Sequence, residues 1–294
     1  MRTELLEILR CPRCGAAFRG AANGAPLECG ACGARYPVQD DVPDLSLFDE
    51  LDEATRLEVE AQDRCAGDIY DNPETLAFWW DLIDTAEMAR ALPSDARRVL
   101  DVGAGIGNLG EATSAFVVGI DLSWELLRRA RRRLPQVVRA DAARLPFADG
   151  AFDAVFVRGT LHHLVTHDRP LAEMARVLRP GGVAVFSDPR TFAPLERVKG
   201  LLRRGSKYYA ETHRAFTLDE YPALIGRSFT IESVRVRHGP GVMVLNAIDA
   251  FFLGRFLPAR PALARALHAL DRPFGRAGLL RGVGMVIDVV ARRA

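Results

Sequence analysis

The chain of 294 residues reads as an α/β protein, an open sheet of mainly parallel strands with its ligand at their carboxyl ends, preceded by a small cysteine-rich module. Three observations predict this. Runs of β-branched and apolar residues recur at Val99–Val102, Val117–Ile120, Val137–Val138, Phe152–Val157 and Val183–Phe186, with helical patterns between them. The first run passes into a glycine-rich turn, Gly103-Ala-Gly-Ile-Gly107. Four cysteines stand as two C-x-x-C pairs ahead of every strand.

Composition sets the frame. The hydrophobic fraction of 49% and charged fraction of 26% are those of a soluble globular protein, long enough for one large domain and a small one. Met1–Arg10 is a short amphipathic stretch and charges interrupt the long apolar runs, so neither a signal peptide nor a spanning helix is expected, and the expected location is cytoplasmic. The net charge of +1 hides an asymmetry: residues 49–95 carry fourteen acids against three arginines, and residues 191–294 seventeen bases against eight acids. The acidic block reads as a solvated helical region, or as one folded against the basic carboxyl-terminal region. Neither half has the one-sided basic character of a dedicated nucleic-acid binder.

In chain order, residues 1–48 form the first module. Cys11-Pro-Arg-Cys14 and Cys29-Gly-Ala-Cys32 are separated by fourteen residues, a spacing at which four thiolates surround one tetrahedral zinc ion. A module this short needs such a staple to fold. A redox C-x-x-C pair is the alternative. Residues 49–96 read as a helical linker, broken at Asp68–Pro73 and continued through Phe78, Trp79, Trp80, Leu82, Ile83 and Met88. Aromatics at this spacing serve a core or touch a ligand, and Tyr70 and Trp79 are the candidates for the second role.

Residues 97–294 carry the sheet. Asp101 stands just before the glycines and Asp121 ends the next apolar run, twenty residues on. An acid so placed hydrogen-bonds ribose hydroxyls, and the glycines allow a sharp turn and close approach of a ligand. The dinucleotide pattern needs a further glycine where Asn108 stands. Ser123 is expected to cap a helix over WELLRRARRRL with Glu125 in its first turn, its arginines 128–133 forming a solvated face. Asp141 follows the third strand. Arg158 ends the fourth, before Gly-Thr-Leu-His162-His163-Leu, and the helix LAEMARVLRPGG leads to the fifth. Phe229–Arg237 and Met285–Val290 read as a terminal antiparallel pair, with a helical insertion between them at about 240–280.

The pattern D-x-G-x-G-x-G at Asp101–Gly107 resembles motif I of the class I S-adenosylmethionine (SAM) methyltransferases. LHHL and L-x-E-M-x-R-V-L-R-P-G-G resemble the widespread methyltransferase type 11 superfamily, which includes the quinone C-methylating enzymes. Four motifs in order over residues 97–190 carry this likeness. LLEILRCPRC and RYPVQDDVPDL, within the first 48 residues, resemble the zinc-ribbon activator of tRNA- and ribosome-modifying methyltransferases. The resemblance implies a Rossmann-like sheet and the cofactors SAM and Zn²⁺, the latter on Cys11, Cys14, Cys29 and Cys32. It implies SAM contacts at Asp101, Gly103, Ala104, Gly105, Gly107, Asp121, Leu122, Asp141, Ala142 and Arg158. Residues 49–96 would lie over the cofactor. Asp141 would take the adenine amino group, and the Ala142 N–H a ring nitrogen.

An oxygen or nitrogen acceptor must lose a proton, which His162 or His163 is suited to take near neutral pH. The favoured acceptor is a small or lipid-like molecule. RNA is the alternative that the ribbon suggests, although no N-P-P-Y-type motif follows the fourth strand and no cysteine lies in the catalytic region. A non-catalytic SAM-binding activator is a third reading. Val244, Leu245, Ile248, Phe251 and Phe252 at helical spacing, followed by arginines 255, 260 and 265, are expected to form a lid, an apolar acceptor pocket or a peripheral membrane contact.

Overall fold

The computed structural model describes residues 3–19, 25–191, 215–250, 256–276 and 284–294. Its main sheet has seven strands, β5 (Arg98–Val102), β6 (Phe116–Asp121), β7 (Gln136–Arg139), β8 (Phe152–Arg158), β9 (Leu178–Pro189), β10 (Thr230–Arg237) and β11 (Val286–Arg292). Their spatial order is β10-β11-β9-β8-β5-β6-β7. The strands β9-β8-β5-β6-β7 run parallel, and β11 is antiparallel to both β9 and β10. This is the Rossmann-like sheet expected, with its terminal antiparallel pair in place.

Both faces of the sheet are buried, so its central strands are mostly apolar on both sides rather than alternating. Leu100, Val102, Val118, Ile120, Val155, Val157, Ala184 and Phe186 point to one cluster. Val99, Val117, Ala154, Phe156, Val183 and Val185 point to the other. The first face is covered by α5 (Asp168–Val177), through Leu171, Met174 and Val177, and by α6 (Glu220–Ile225), through Tyr221 and Ile225. The second is covered by Leu127 and Ala130 of α4 (Trp124–Ala130) and by Leu134. Ser123 caps α4 by accepting from the Leu126 N–H, as its sequence requires. The helix ends earlier than the apolar pattern suggests.

The amino-terminal module contains α1 (Thr3–Ile8) and two small ladders, β1 (Leu27–Glu28) with β2 (Arg35–Tyr36), and β3 (Val38–Gln39) with β4 (Val42–Pro43). It is docked on the β7 edge of the sheet. Leu9 bridges Phe147, Asp44 bridges Arg139, and the Leu45 N–H donates to the Arg139 carbonyl at 2.8 Å. Leu5, Ile8, Leu9, Leu27 and Leu45 lie in the same apolar cluster as Val138, Leu145 and Phe147. The guanidinium of Arg139 seals the joint, 3.0 Å from Asp44 and over the ring of Phe48.

Residues 49–96 are helical, in α2 (Glu53–Cys65), a π-turn over Ala66–Tyr70, and α3 (Leu76–Met88). Asp52 and Thr75 cap the two helices by accepting from the Thr55 and Phe78 N–H groups. The acids here are not simply a solvated face. Glu58 and Asp84 are buried, Asp63 accepts from the Ser123 hydroxyl, and Asp71 meets Arg129, Arg132 and Arg133. The arginines expected to lie in solvent thus take acidic partners, because α2 and the π-turn pack beside α4. Tyr70, Phe78 and Trp79 pack with Ile106 and Leu126, which seats the segment on the glycine loop.

The insertion contains α7 (Pro240–Ala250) and α8 (Arg260–Arg276). Val242 and Leu245 pack on Leu76, Trp80 and Leu267, so the inner face of α7 is solid core. Met243 (55%), Val244 (46%) and Phe256 (70%) are exposed on the outside. Phe251, Phe252 and Arg255 fall outside the described residues. No helix among those described is long and apolar enough to cross a membrane.

Candidate active site and metal centre

The carboxyl ends of β5, β6 and β7 lie side by side through the register Asp101↔Gly119 and Asp121↔Arg139. At the end of β5 the chain turns through three left-handed glycines, with φ of 68° at Gly103, 54° at Gly105 and 81° at Gly107. A side chain at Gly103 would collide with Thr160, whose hydroxyl donates to the Val102 carbonyl at 3.0 Å. At Gly105 a Cβ would meet nothing within 4 Å, so this turn faces open space. The Ala104 N–H closes the loop on the Ile120 carbonyl.

Asp121 is held from behind. One oxygen accepts from the Gly105 N–H at 3.1 Å and the other from the Ser123 N–H at 3.0 Å. Asp101 is 4% exposed, and no donor among the described residues meets its carboxylate. Burial, and then the neighbouring Asp121, pushes its pKa up to about 7. Burial also raises Asp121 and Asp141, the latter accepting from the Ala143 N–H at 2.9 Å. Ala142 is buried after it, and the Leu122 carbonyl accepts from Arg139 at 2.8 Å. Asp101 and Asp121, adjacent buried carboxylates that no cation among the described residues touches, form a site for hydroxyl, amino or cationic groups.

The guanidinium of Arg158, expected to contact cofactor, is held on α3, at 2.8 Å from Asp81 and 3.0 Å from Asp84. Both histidines are held by carboxylates. His162 Nδ1 is 2.6 Å from Asp188, which also accepts from the Tyr221 hydroxyl at 2.7 Å. His163 Nδ1 is 2.8 Å from Glu58, and the two imidazoles lie 3.9 Å apart. Burial, with His162 beside it, lowers the pKa of His163. Asp188 escaped the sequence reading, although an acid ending a parallel strand is the signal that marked Asp101 and Asp121. For Glu58 no local signal existed.

The second site lies in the amino-terminal module. Its knuckles repeat one hydrogen-bond pattern: the Cys11 and Cys29 N–H groups donate to the Ala16 and Ala34 carbonyls, and Gly15 and Gly33, both left-handed, donate back to the cysteine carbonyls. The four sulfur atoms lie within 4.8 Å of one another, with Cys11–Cys32 at 3.8 Å and Cys14–Cys29 at 3.4 Å. A tetrahedral zinc ion with sulfur at about 2.3 Å spaces its ligands about 3.8 Å apart, so the four thiols fit it.

Residues 100–186 match the family described as a methyltransferase domain. The demethylmenaquinone methyltransferase of Renibacterium salmoninarum is 43% identical over 110 residues, 35% of this chain and 46% of its own length. Methyltransferase GfsG of Streptomyces halstedii is 33% identical over 198 residues, 63% of this chain and 66% of its own. The chain thus spans about half the length of the first relative and two thirds of the second. A SAM-dependent methyltransferase from Thermotoga maritima shares the fold at a TM-score of 0.51 and 18% identity, over 73% of this chain and 90% of that one. Residues 100–186 thus match a methyltransferase domain, and the seven-stranded sheet that holds them has the Rossmann-like methyltransferase fold.

Proposed function

We propose that the chain is a SAM-dependent methyltransferase acting on a small, largely apolar acceptor, with a zinc ion stapling its amino-terminal module. The observation that carries this reading is the pair Asp101 and Asp121 beside the open turn at Gly105. When bound, SAM supplies an electrophilic methyl group on a sulfonium. Asp121, oriented by two backbone N–H groups, accepts from the ribose hydroxyls, and Asp141 accepts from the adenine amino group. Asp101 offers negative charge to the ammonium of the methionine tail. The acceptor atom forms the new bond to the methyl carbon as the carbon–sulfur pair returns to sulfur, and positioning supplies much of the rate. His162, fixed by Asp188 and Tyr221, holds the proton that an oxygen or nitrogen acceptor gives up.

The small-molecule reading draws on the relative named for its action on demethylmenaquinone. It also draws on the apolar exterior of α7 at Met243 and Val244. The amino-terminal module turns its apolar side chains to its own sheet, which favours a stapling role over RNA recognition. The test is transfer of labelled methyl from SAM into extract fractions of the source cell, beside calorimetric SAM binding. Labelled lipid or small-molecule product is expected. Label in RNA would overturn the acceptor assignment, and absence of SAM binding would overturn the whole.

A further inference from the structure

Away from the glycine loop, three buried side chains from distant parts of the chain converge. Asp84 stands on α3, His238 between β10 and α7, and His268 on α8, each no more than 3% exposed. One ligand atom from each lies within 4.8 Å of the others. His238 Nε2 is 2.6 Å from Asp84 Oδ1, and His268 Nε2 is 3.8 Å from the same oxygen and 3.4 Å from Glu87 Oε2. An ion with nitrogen and oxygen ligands at about 2.0–2.2 Å spaces them about 3–4 Å apart.

Two observations point to a missing partner. His268 Nε2 is buried and makes no hydrogen bond, although it is aimed between two carboxylates. Asp271 Oδ2 is likewise buried without a hydrogen bond, 3.7 Å from His238 Nδ1, while its other oxygen accepts from the Gly241 N–H at 2.8 Å. A carboxylate behind the far nitrogen of a histidine is the arrangement that orients a metal-bound imidazole. His238 is also held at φ of 58°, a left-handed backbone rare outside glycine and found where surroundings impose it.

Charge balance agrees. Among the described residues, Asp81, Asp84 and Asp288 meet the guanidiniums of Arg158 and Arg237, while Glu87 and Asp271 face only His268 and His238, so carboxylates outnumber guanidiniums in this network. Arg237 touches Asp84 Oδ1 and His238 Nε2, but also grips Asp288 through Nε and Nη2 and can remain there when an ion enters. Asp84 keeps Arg158 on its other oxygen. The ring of Trp80, 4.8 and 4.9 Å from the two imidazoles, shields the cluster.

We infer that Asp84, His238 and His268, with Glu87 as a fourth donor, form a second metal site for a divalent first-row transition ion, distinct from the four cysteines. Two imidazoles and one or two carboxylates suit ions of the zinc, iron and cobalt type rather than the all-oxygen calcium or magnesium. The ion ties α3 to α8 and to the corner between β10 and α7, adding to the apolar packing, the Arg237 ion pairs, the His238–Asp84 contact and the Gly241–Asp271 hydrogen bond that already join them.

Cobalt(II) is the probe. The full chain, dialysed against a mild chelator, is titrated with Co²⁺ and followed in the visible and near-ultraviolet. Expected is one equivalent giving weak d–d absorption without thiolate-to-cobalt charge transfer, and paramagnetically shifted imidazole N–H signals in proton magnetic resonance. His268→Ala should lose that equivalent, and Cys14→Ser should keep it. If wild-type protein takes cobalt only with thiolate bands, or shows no shifted imidazole signals, the site does not exist, whatever the folding of the variants. Undiminished binding in both His238→Ala and His268→Ala overturns it equally.

Discussion

If Asp101 faces the ammonium group of SAM, its raised pKa makes SAM binding pH-dependent. In the free protein, burial and the Asp121 charge place this carboxyl near pKa 7, against 3.8 for an ordinary aspartate. A cationic ligand favours the carboxylate, so binding at or below neutral pH must expel a proton. The sign follows: affinity is at its plateau above pH 7 and falls about tenfold for each unit below it, or about 1.4 kcal/mol at pH 6. Calorimetry in buffers of different ionisation enthalpy should count about half a proton released at pH 7. Asp101→Asn should lose that dependence and bind more weakly on the plateau by about 1.5–3 kcal/mol, the cost of a charged hydrogen bond. Comparison with this variant subtracts the ligand's own titration. The free protein shows the converse: a raised carboxyl stabilises the fold most at low pH and loses that contribution as pH rises through 7, so unliganded Asp101→Asn should be more stable than wild type at pH 8. A dissociation constant flat from pH 6 to 8, with no proton released, would refute the placement of Asp101 against the ligand.

Three further outcomes follow from the same geometry. Asp121→Ala removes an acceptor already oriented by Gly105 and Ser123, and calorimetry should find SAM bound about 1–3 kcal/mol more weakly. Gly103→Ala forces a Cβ into Thr160 at a left-handed backbone, and denaturant unfolding should show a loss of about 2–4 kcal/mol; an unchanged midpoint contradicts the packing described. Metal removal from the four cysteines should unfold residues 1–48 while the SAM domain stays folded. Because Leu9 and Leu45 share hydrogen bonds and core with Phe147 and Arg139, hydrogen exchange should also quicken at β7, and unaltered β7 protection would count against the docking.

Local chemistry made much of this protein legible before any coordinates. Val99–Val102 and its four counterparts are apolar on both faces, which a buried parallel strand requires and an exposed one forbids. The glycines at 103, 105 and 107 announced left-handed backbone, Ser123 a helix start, and the paired C-x-x-C knuckles a four-sulfur cluster, because each depends on residues within a few positions. What only the tertiary structure decided is where the charges went. Arg158 reaches acids more than seventy positions away on α3, His163 meets Glu58 across 105, and Asp84 meets His238 across 154. Such pairings leave no period or motif, since they depend on how the helices of residues 49–96 and 240–276 lie across the carboxyl edge of the sheet. Likewise the Cys spacing said that the amino-terminal module would close on itself, but not that β7 would be an open edge needing cover. Apolar burial, which has no direction along the sequence, settled that by seating Leu5, Ile8, Leu9 and Leu45 against Val138 and Phe147.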